Sequence, residues 1–215
     1  MLRALLASLL LLSSANVLAA NELAAAPNQI RPILLGSKMP DVPLQTATGM
    51  ATTLKAQVAG KPAILVFFRG NWCPFCNLQL SELRLIQKQV EALGYQLIAM
   101  SPERPEEITR TIGKDKLQYT LLSDANADAM RAFGIGYVLD APTLARYKTM
   151  NADLDARSGH DHHALPVPSV FIVDGDGVLQ FSYIHPDFRV RVPGSVILAA
   201  AQAIAKREHK LHPKE

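Results

Sequence analysis

The chain has 215 residues, of which 49% are apolar and 19% charged, with a formal net charge of +3. That length and apolar content suffice for one domain with a full core, or one domain with an insertion, without disulfide staples. Lys and Arg are scattered, with one small cluster at Lys206-Arg207-Glu208-His209-Lys210; without a basic stripe interleaved with aromatics, nucleic acid is excluded as an expected partner.

Arg3 is followed by an apolar stretch from Ala4 to Leu12 and then by Ser13-Ser14-Ala15-Asn16-Val17-Leu18-Ala19-Ala20. A positive residue, a short apolar core and small residues at a cleavage point form the pattern of a secretory signal peptide. Val17 and Ala19 fit the positions three and one before the cut, and a cut after Ala20 fits nearly as well. A membrane anchor is the alternative, but the apolar core is short of the ~20 residues a span needs. Residues 1–20 are therefore expected to be removed, giving a periplasmic protein free of the membrane.

Residues 21–37 are rich in Ala, Asn and Pro and read as a flexible leader. Asp41 to Gln45 and Ala51 to Leu54 bracket Thr48-Gly49 and predict a small hairpin. Ala63 to Phe68 is a continuous apolar run, expected of a buried central strand. From Pro74 the pattern becomes helical, with Leu78, Leu80, Leu83, Leu85, Ile86, Val90 and Leu93 at helical spacing and Gly94 as a natural stop. Tyr95 to Met100 reads as the next strand, and a strand–helix–strand unit of these lengths predicts a right-handed parallel crossover. Pro105 to Ile112 is expected as a helix, Leu121-Leu122 as a short strand and Asn126 to Phe133 as a short helix. Residues 135–166 have no clear period and read as an insertion or lid. Ser169 to Asp174, the turn Gly175-Asp176-Gly177 and Val178 to Ile184 predict a second hairpin. Pro193 to Lys206 closes the chain as a helix, with 208–215 as a tail.

The two cysteines stand at Trp72-Cys73-Pro74-Phe75-Cys76, between the first core strand and its helix. A helix N-terminus supplies partial positive charge and free N–H groups that favour a thiolate, and a thiolate attacks disulfides and peroxides. A disulfide between cysteines this close in sequence removes little unfolded-chain entropy, so stapling is a weak reason for the pair. Zinc would need two further ligands. The pair therefore points to redox chemistry.

The order of elements, with Cys-x-x-Cys after the first core strand, resembles the thioredoxin fold. The segment Phe67-Phe68-Arg69-Gly70-Asn71-Trp72-Cys73-Pro74-Phe75-Cys76 and the Leu121-Leu122-Ser123-Asp124 element look more closely like the alkyl hydroperoxide reductase/thiol-specific antioxidant family, in its peroxiredoxin-like branch with Cys-Pro-x-Cys. The resemblance runs from about Lys38 to Ala205. It implies an α/β fold with a central mixed β-sheet flanked by helices, an N-terminal hairpin extension and an insertion before the last hairpin, the domain spanning 38–207.

The resemblance leaves the roles of the two cysteines open. Laid on the family's Pro-x-x-x-Thr-x-x-Cys pattern, the peroxide-attacking cysteine falls on Cys76, the Thr on Cys73 and the Pro on Arg69. In a thioredoxin reading, Cys73 attacks and Cys76 resolves. Trp72 and Pro74 are expected to wall the site. Pro168 sits where thioredoxin-fold proteins carry a cis-proline facing the cysteines, which would leave the Val167 backbone free to pair with a substrate chain. Arg69 is a candidate to stabilise the thiolate. Arg189 and Arg191 are candidates for the arginine that peroxiredoxins set against the attacking cysteine.

These residues predict an enzyme that cycles a Cys73/Cys76 dithiol and disulfide without cofactor or metal. Its substrate would be a peroxide or a disulfide, and an external thiol its reductant. One alternative is an extracytoplasmic protein disulfide oxidoreductase without significant peroxidase activity. Another, from a different class, is a copper- or zinc-handling protein using Cys73, Cys76 and the His160/His162/His163 cluster; the cluster read alone is a solvated polar loop.

Overall fold

The computed structural model describes residues 22–211, with side chains through Arg207. The signal-peptide pattern of residues 1–20 and the final residues 212–215 lie outside the described residues.

The centre of the fold is β3 (Ala63–Phe67), whose five residues are all buried. It pairs in parallel with β4 (Gln96–Ser101) and antiparallel with β8 (Ser169–Val173). Between β3 and β4 runs α2 (Pro74–Ala92), so the predicted parallel crossover is present. The sheet extends through β5 (Thr120–Ser123) to the hairpin of β1 (Pro43–Thr46) and β2 (Ala51–Thr53). On its other side β9 (Leu179–Ile184) pairs with β8. The seven strands lie in the order β2-β1-β5-β4-β3-β8-β9, a mixed sheet with helices on both faces.

Strand alternation divides the core in two. Ile64, Val66 and Phe68 point to one face, where they meet Leu80, Leu83 and Val90 of α2, Ile108 of α3 (Pro105–Asp115) and Ile197 of α7 (Gly194–Leu211). Ala63, Leu65 and Phe67 point to the other, against α1 (Leu54–Val58) and α4 (Asp128–Ala132). There Phe67, Phe133 and Phe171 pack ring to ring, with centroids 5.0 to 6.0 Å apart. Cys73 and Cys76 belong to the first cluster.

Four expectations change. Segment 22–37 is docked instead of flexible. Ala24 bridges Tyr137 and exchanges backbone hydrogen bonds with Gly136 and Val138, Arg31 and Ile33 bond to Gly134 and Phe133, and Leu23, Ile30 and Ile33 pack on the second cluster. These apolar residues are too sparsely spaced to show a period. Leu78 and Leu85 face solvent, 62% and 74% exposed, because the core stripe of α2 runs through Cys76, Leu80, Leu83, Ile86 and Val90. Helix α7 continues past Lys206 to Leu211, with no proline before Pro213 to stop it.

The stretch 135–166, aperiodic in sequence, is the fourth and is fully built. β6 (Gly136–Val138) and β7 (Ala164–Pro166) form a two-stranded antiparallel sheet, and between them lie α5 (Ala141–Thr149) and α6 (Leu154–Ser158). Both helices start on an aspartate cap: Asp140 accepts from the Thr143 N–H and Asp153 from the Ala156 N–H. Tyr147 and Leu154 bury a small third core against Leu139 and Leu165, with Trp72 packed on it.

Candidate active site

The site forms where β3 gives way to α2. Cys73 is the N-cap of the helix and Pro74 opens its first turn, where a missing N–H leaves no bond unmade. The Cys76 and Asn77 N–H groups donate to the Cys73 carbonyl at 3.0 and 3.1 Å. Both cysteines are free and buried, 1% and 0% exposed. The turn before them passes through Gly70, whose φ is +150°. A Cβ there would stand 2.4 Å from Trp72 Nε1 and 2.7 Å from Glu103 Oε1, so this turn needs glycine for space as well as conformation.

Two guanidinium groups converge on the sulfurs. Arg69 is almost completely buried; its Nη1 lies 3.9 Å from Cys73 Sγ and its backbone N–H donates to Cys76 Sγ at 3.4 Å. Arg191 Nη2 lies 3.2 Å from Cys76 Sγ and 4.0 Å from Cys73 Sγ. Arg189, the other candidate, is turned away: it is exposed and forks onto Asp187.

The sulfurs share one negative charge unequally. A hydrogen bond from the Cys76 thiol draws Cys73 down to about 5, and the charges of Arg69 and Arg191 add to this against the cost of burial. Burial pushes Cys76 well above its ordinary range, and the bond to Cys73 raises it further. Arg191 is nearer Cys76, so on charge alone Cys76 would ionise. Complete desolvation of Cys76 outweighs that proximity, and the thiolate belongs on Cys73.

Aromatic rings enclose Arg69. Its guanidinium carbon lies 4.8 Å from the Trp72 ring centroid, 5.3 Å from Tyr147 and 4.3 Å from Phe188, and Phe188 meets Phe75 edge-on at 5.9 Å. Arg69 Nη2 also donates to the Tyr147 hydroxyl. Trp72 thus packs on the arginine that faces Cys73. Tyr147 and Phe188 were not legible as site residues, since neither belongs to a motif.

The expectation at Val167–Pro168 fails, and the rival metal reading finds no site among the described residues. Among the described residues every peptide bond is trans, Val167–Pro168 included. The Val167 backbone is also occupied: its N–H donates to the Ile135 carbonyl at 3.0 Å and its carbonyl accepts from Ser169 Oγ at 2.9 Å. The Ile135 carbonyl just before β6 and the Ser169 hydroxyl thus take the groups expected to meet a substrate chain. The three histidines do not converge either. His162 Nε2 is 3.0 Å from the Ala125 carbonyl, His163 pairs with Asp155, and among the described residues no three ligating side chains cluster.

The family model described as the AhpC/TSA family matches residues 35–182. The chain belongs to the AhpC/TSA family. Among curated members, Peroxiredoxin Bcp of Escherichia coli strain K12 is 26% identical over 106 residues, covering 49% of this chain and 67% of that protein. The chloroplastic Peroxiredoxin Q of Oryza sativa subsp. japonica is 24% identical over 148 residues, 69% of this chain and 58% of that protein. The fold agrees with solved members. Peroxidoxin BcpB from Mycobacterium tuberculosis aligns with a TM-score of 0.61 at 18% identity, covering 79% of this chain and 97% of the other. Xanthomonas campestris Peroxiredoxin Q aligns at 0.59 and 19%, covering 76% and 91%. The family's central mixed sheet flanked by helices is present here.

Proposed function

We propose that the protein is a thiol-dependent peroxidase in which Cys73 attacks and Cys76 resolves. The observation that carries this reading is the convergence of Arg69 and Arg191 on two buried sulfurs at a helix N-terminus. The Cys73 thiolate attacks the peroxide O–O bond; the sulfur takes one oxygen as sulfenic acid, and the other leaves as alcohol or water with a proton from solvent. The Cys76 thiol then displaces that oxygen as water, closing the Cys73–Cys76 disulfide. An external dithiol returns the pair to its reduced form while being oxidised itself. The guanidinium groups supply fixed positive charge where the departing oxygen becomes negative.

The membership in a family with peroxiredoxin relatives supports the reaction. The engaged Val167 backbone argues against a protein disulfide as the main substrate. The signal-peptide pattern of residues 1–20 supports a periplasmic location, which N-terminal sequencing of the protein from a periplasmic fraction tests.

Stopped-flow oxidation by hydrogen peroxide and by an organic hydroperoxide, followed through Trp72 fluorescence, tests the function. A second-order constant at or above ~10⁴ M⁻¹s⁻¹ supports it; a rate near that of a free thiol overturns it. Cys76→Ser is expected to stop at a sulfenic acid on Cys73. A sulfenic acid on Cys76 in Cys73→Ser, formed at the wild-type rate, would reverse the two roles.

A further inference from the structure

A second buried charge network lies directly beneath the turn that carries Cys73. Glu103 sits in the β4–α3 connection and is 1% exposed. Its Oε2 accepts the Asn71 backbone N–H at 2.9 Å, and its Oε1 accepts from Arg157 Nη1 at 3.0 Å. Arg157 comes from α6 of the insertion and also donates to Glu107 Oε2 and Asn71 Oδ1, at 3.0 and 2.9 Å. Asn71 in turn accepts at its carbonyl from Asn77 Nδ2 of α2. Glu103 and Arg157 together therefore tie the Cys73 turn to the insertion, and Glu103 alone holds a backbone N–H of it. No step of the reaction above uses it.

We propose that Glu103 is a positioning residue for the reacting thiolate: ionised, it fixes the Asn71 N–H and with it the Gly70–Cys73 turn, and on protonation that hold weakens. This rests on the peroxidase reading only where activity is the readout. Among the described residues, the bond from Asn71 is the only one that a backbone N–H of this turn donates to a side chain. The groups around Glu103 are known from each side. Arg157 faces it from α6 and Glu107 from α3, with Arg110 paired on the far side of Glu107. Its own N–H donates to Ser101 Oγ on β4. Arg69, Trp72 and His162 line the same small cavity. Burial raises the Glu103 carboxyl to about 7, against the Asn71 and Arg157 contacts that lower it, so the switch falls within a range the protein can meet. Cys73, near 5, remains a thiolate throughout that range.

The test is an NMR pH titration of the Asn71 amide in the reduced protein, beside the peroxide rate over the same range. In the wild type the Asn71 amide proton is expected to titrate with a midpoint near 7. The peroxide rate should rise about tenfold through the same midpoint, the weight of one hydrogen bond to a charged acceptor. In Glu103→Gln, which keeps an acceptor oxygen and the side-chain volume, both titrations should be flat. In Arg157→Met, which removes the cation that stabilises the ionised form, both midpoints should move up. An Asn71 amide without an inflection near 7, or one that persists in Glu103→Gln, overturns the proposal. So does an inflecting amide beside a flat, measurable peroxide rate. An amide that titrates as expected in a protein inert to peroxide at every pH would instead strike the peroxidase reading, and iodoacetamide alkylation of Cys73 then replaces peroxide as the rate readout, with the same tenfold rise expected.

Discussion

The Tyr147 hydroxyl accepts a hydrogen bond from the Arg69 guanidinium across 78 residues of chain, so a helix of the insertion holds the arginine that faces Cys73. Among the described residues Arg69 Nε is buried with no hydrogen-bond partner, and the three rings around it offer faces but few acceptors. Tyr147→Phe keeps the ring and removes that oxygen. It is expected to lower the rate of Cys73 oxidation by about tenfold, the scale of one hydrogen bond to a charged group. The unfolding temperature should move by only a few degrees, roughly what one such bond is worth in a domain of this size. A rate equal to wild type, measured by stopped flow, would detach the Tyr147 hydroxyl from the chemistry.

Arg191 and Arg189 are two residues apart and point to different places. Arg191 reaches both sulfurs, while Arg189 is held by Asp187 at the surface. Arg191→Met is expected to reduce the peroxide rate by roughly a hundredfold, as for loss of one preorganised donor to a developing oxyanion. Arg189→Met should leave it unchanged. Equal losses in the two variants would mean that the whole loop, and not one guanidinium, matters.

That pair also shows where sequence reasoning stopped. Both arginines follow β9 with no motif to separate them, and only the packing of the loop on α2 does so. The core was legible because β3 is an unbroken apolar run and α2 has helical spacing, signals that survive without tertiary context. The insertion was not: α5 buries only Tyr147 among its nine residues, too few for a period. Its legible marks were the caps, Asp140 before Ala141-Pro142 and Asp153 before Leu154. Glu103 and Arg157 lie 54 residues apart, and nothing local distinguishes a buried carboxylate from a solvated one.

Gly70 makes a sharper demand. Gly70→Ala would drive a methyl into Trp72 Nε1 and the Glu103 carboxyl. The positive φ adds backbone strain, and overpacking of this kind costs about 1–3 kcal/mol. Because the displaced groups are the Trp72 ring and the carboxyl that accepts the Asn71 N–H, the variant should lose Cys73 reactivity as well as stability. Chemical denaturation and iodoacetamide alkylation check the two effects. A stability loss with wild-type alkylation would show that the turn can shift without moving the sulfur.

The thiolate also leaves a thermodynamic trace. Folding lowers Cys73 from its ordinary 9.0 to about 5, so the reduced folded state binds fewer protons there than the unfolded chain between those values. Stability then rises with pH across that window. The contribution is complete above about 9 and is lost as pH falls toward 5. Glu103 and Asp124, both raised to about 7 by burial, push the opposite way, since folding favours their protonated forms. Their effect cancels when the wild type is compared with Cys73→Ser at each pH. The stability difference between the two proteins, from urea unfolding under reducing conditions, is therefore expected to grow with pH in favour of the wild type. A difference that stayed constant with pH would remove the charge from Cys73. A growth confined to the comparison with Cys76→Ser would move it to Cys76 and exchange the two roles.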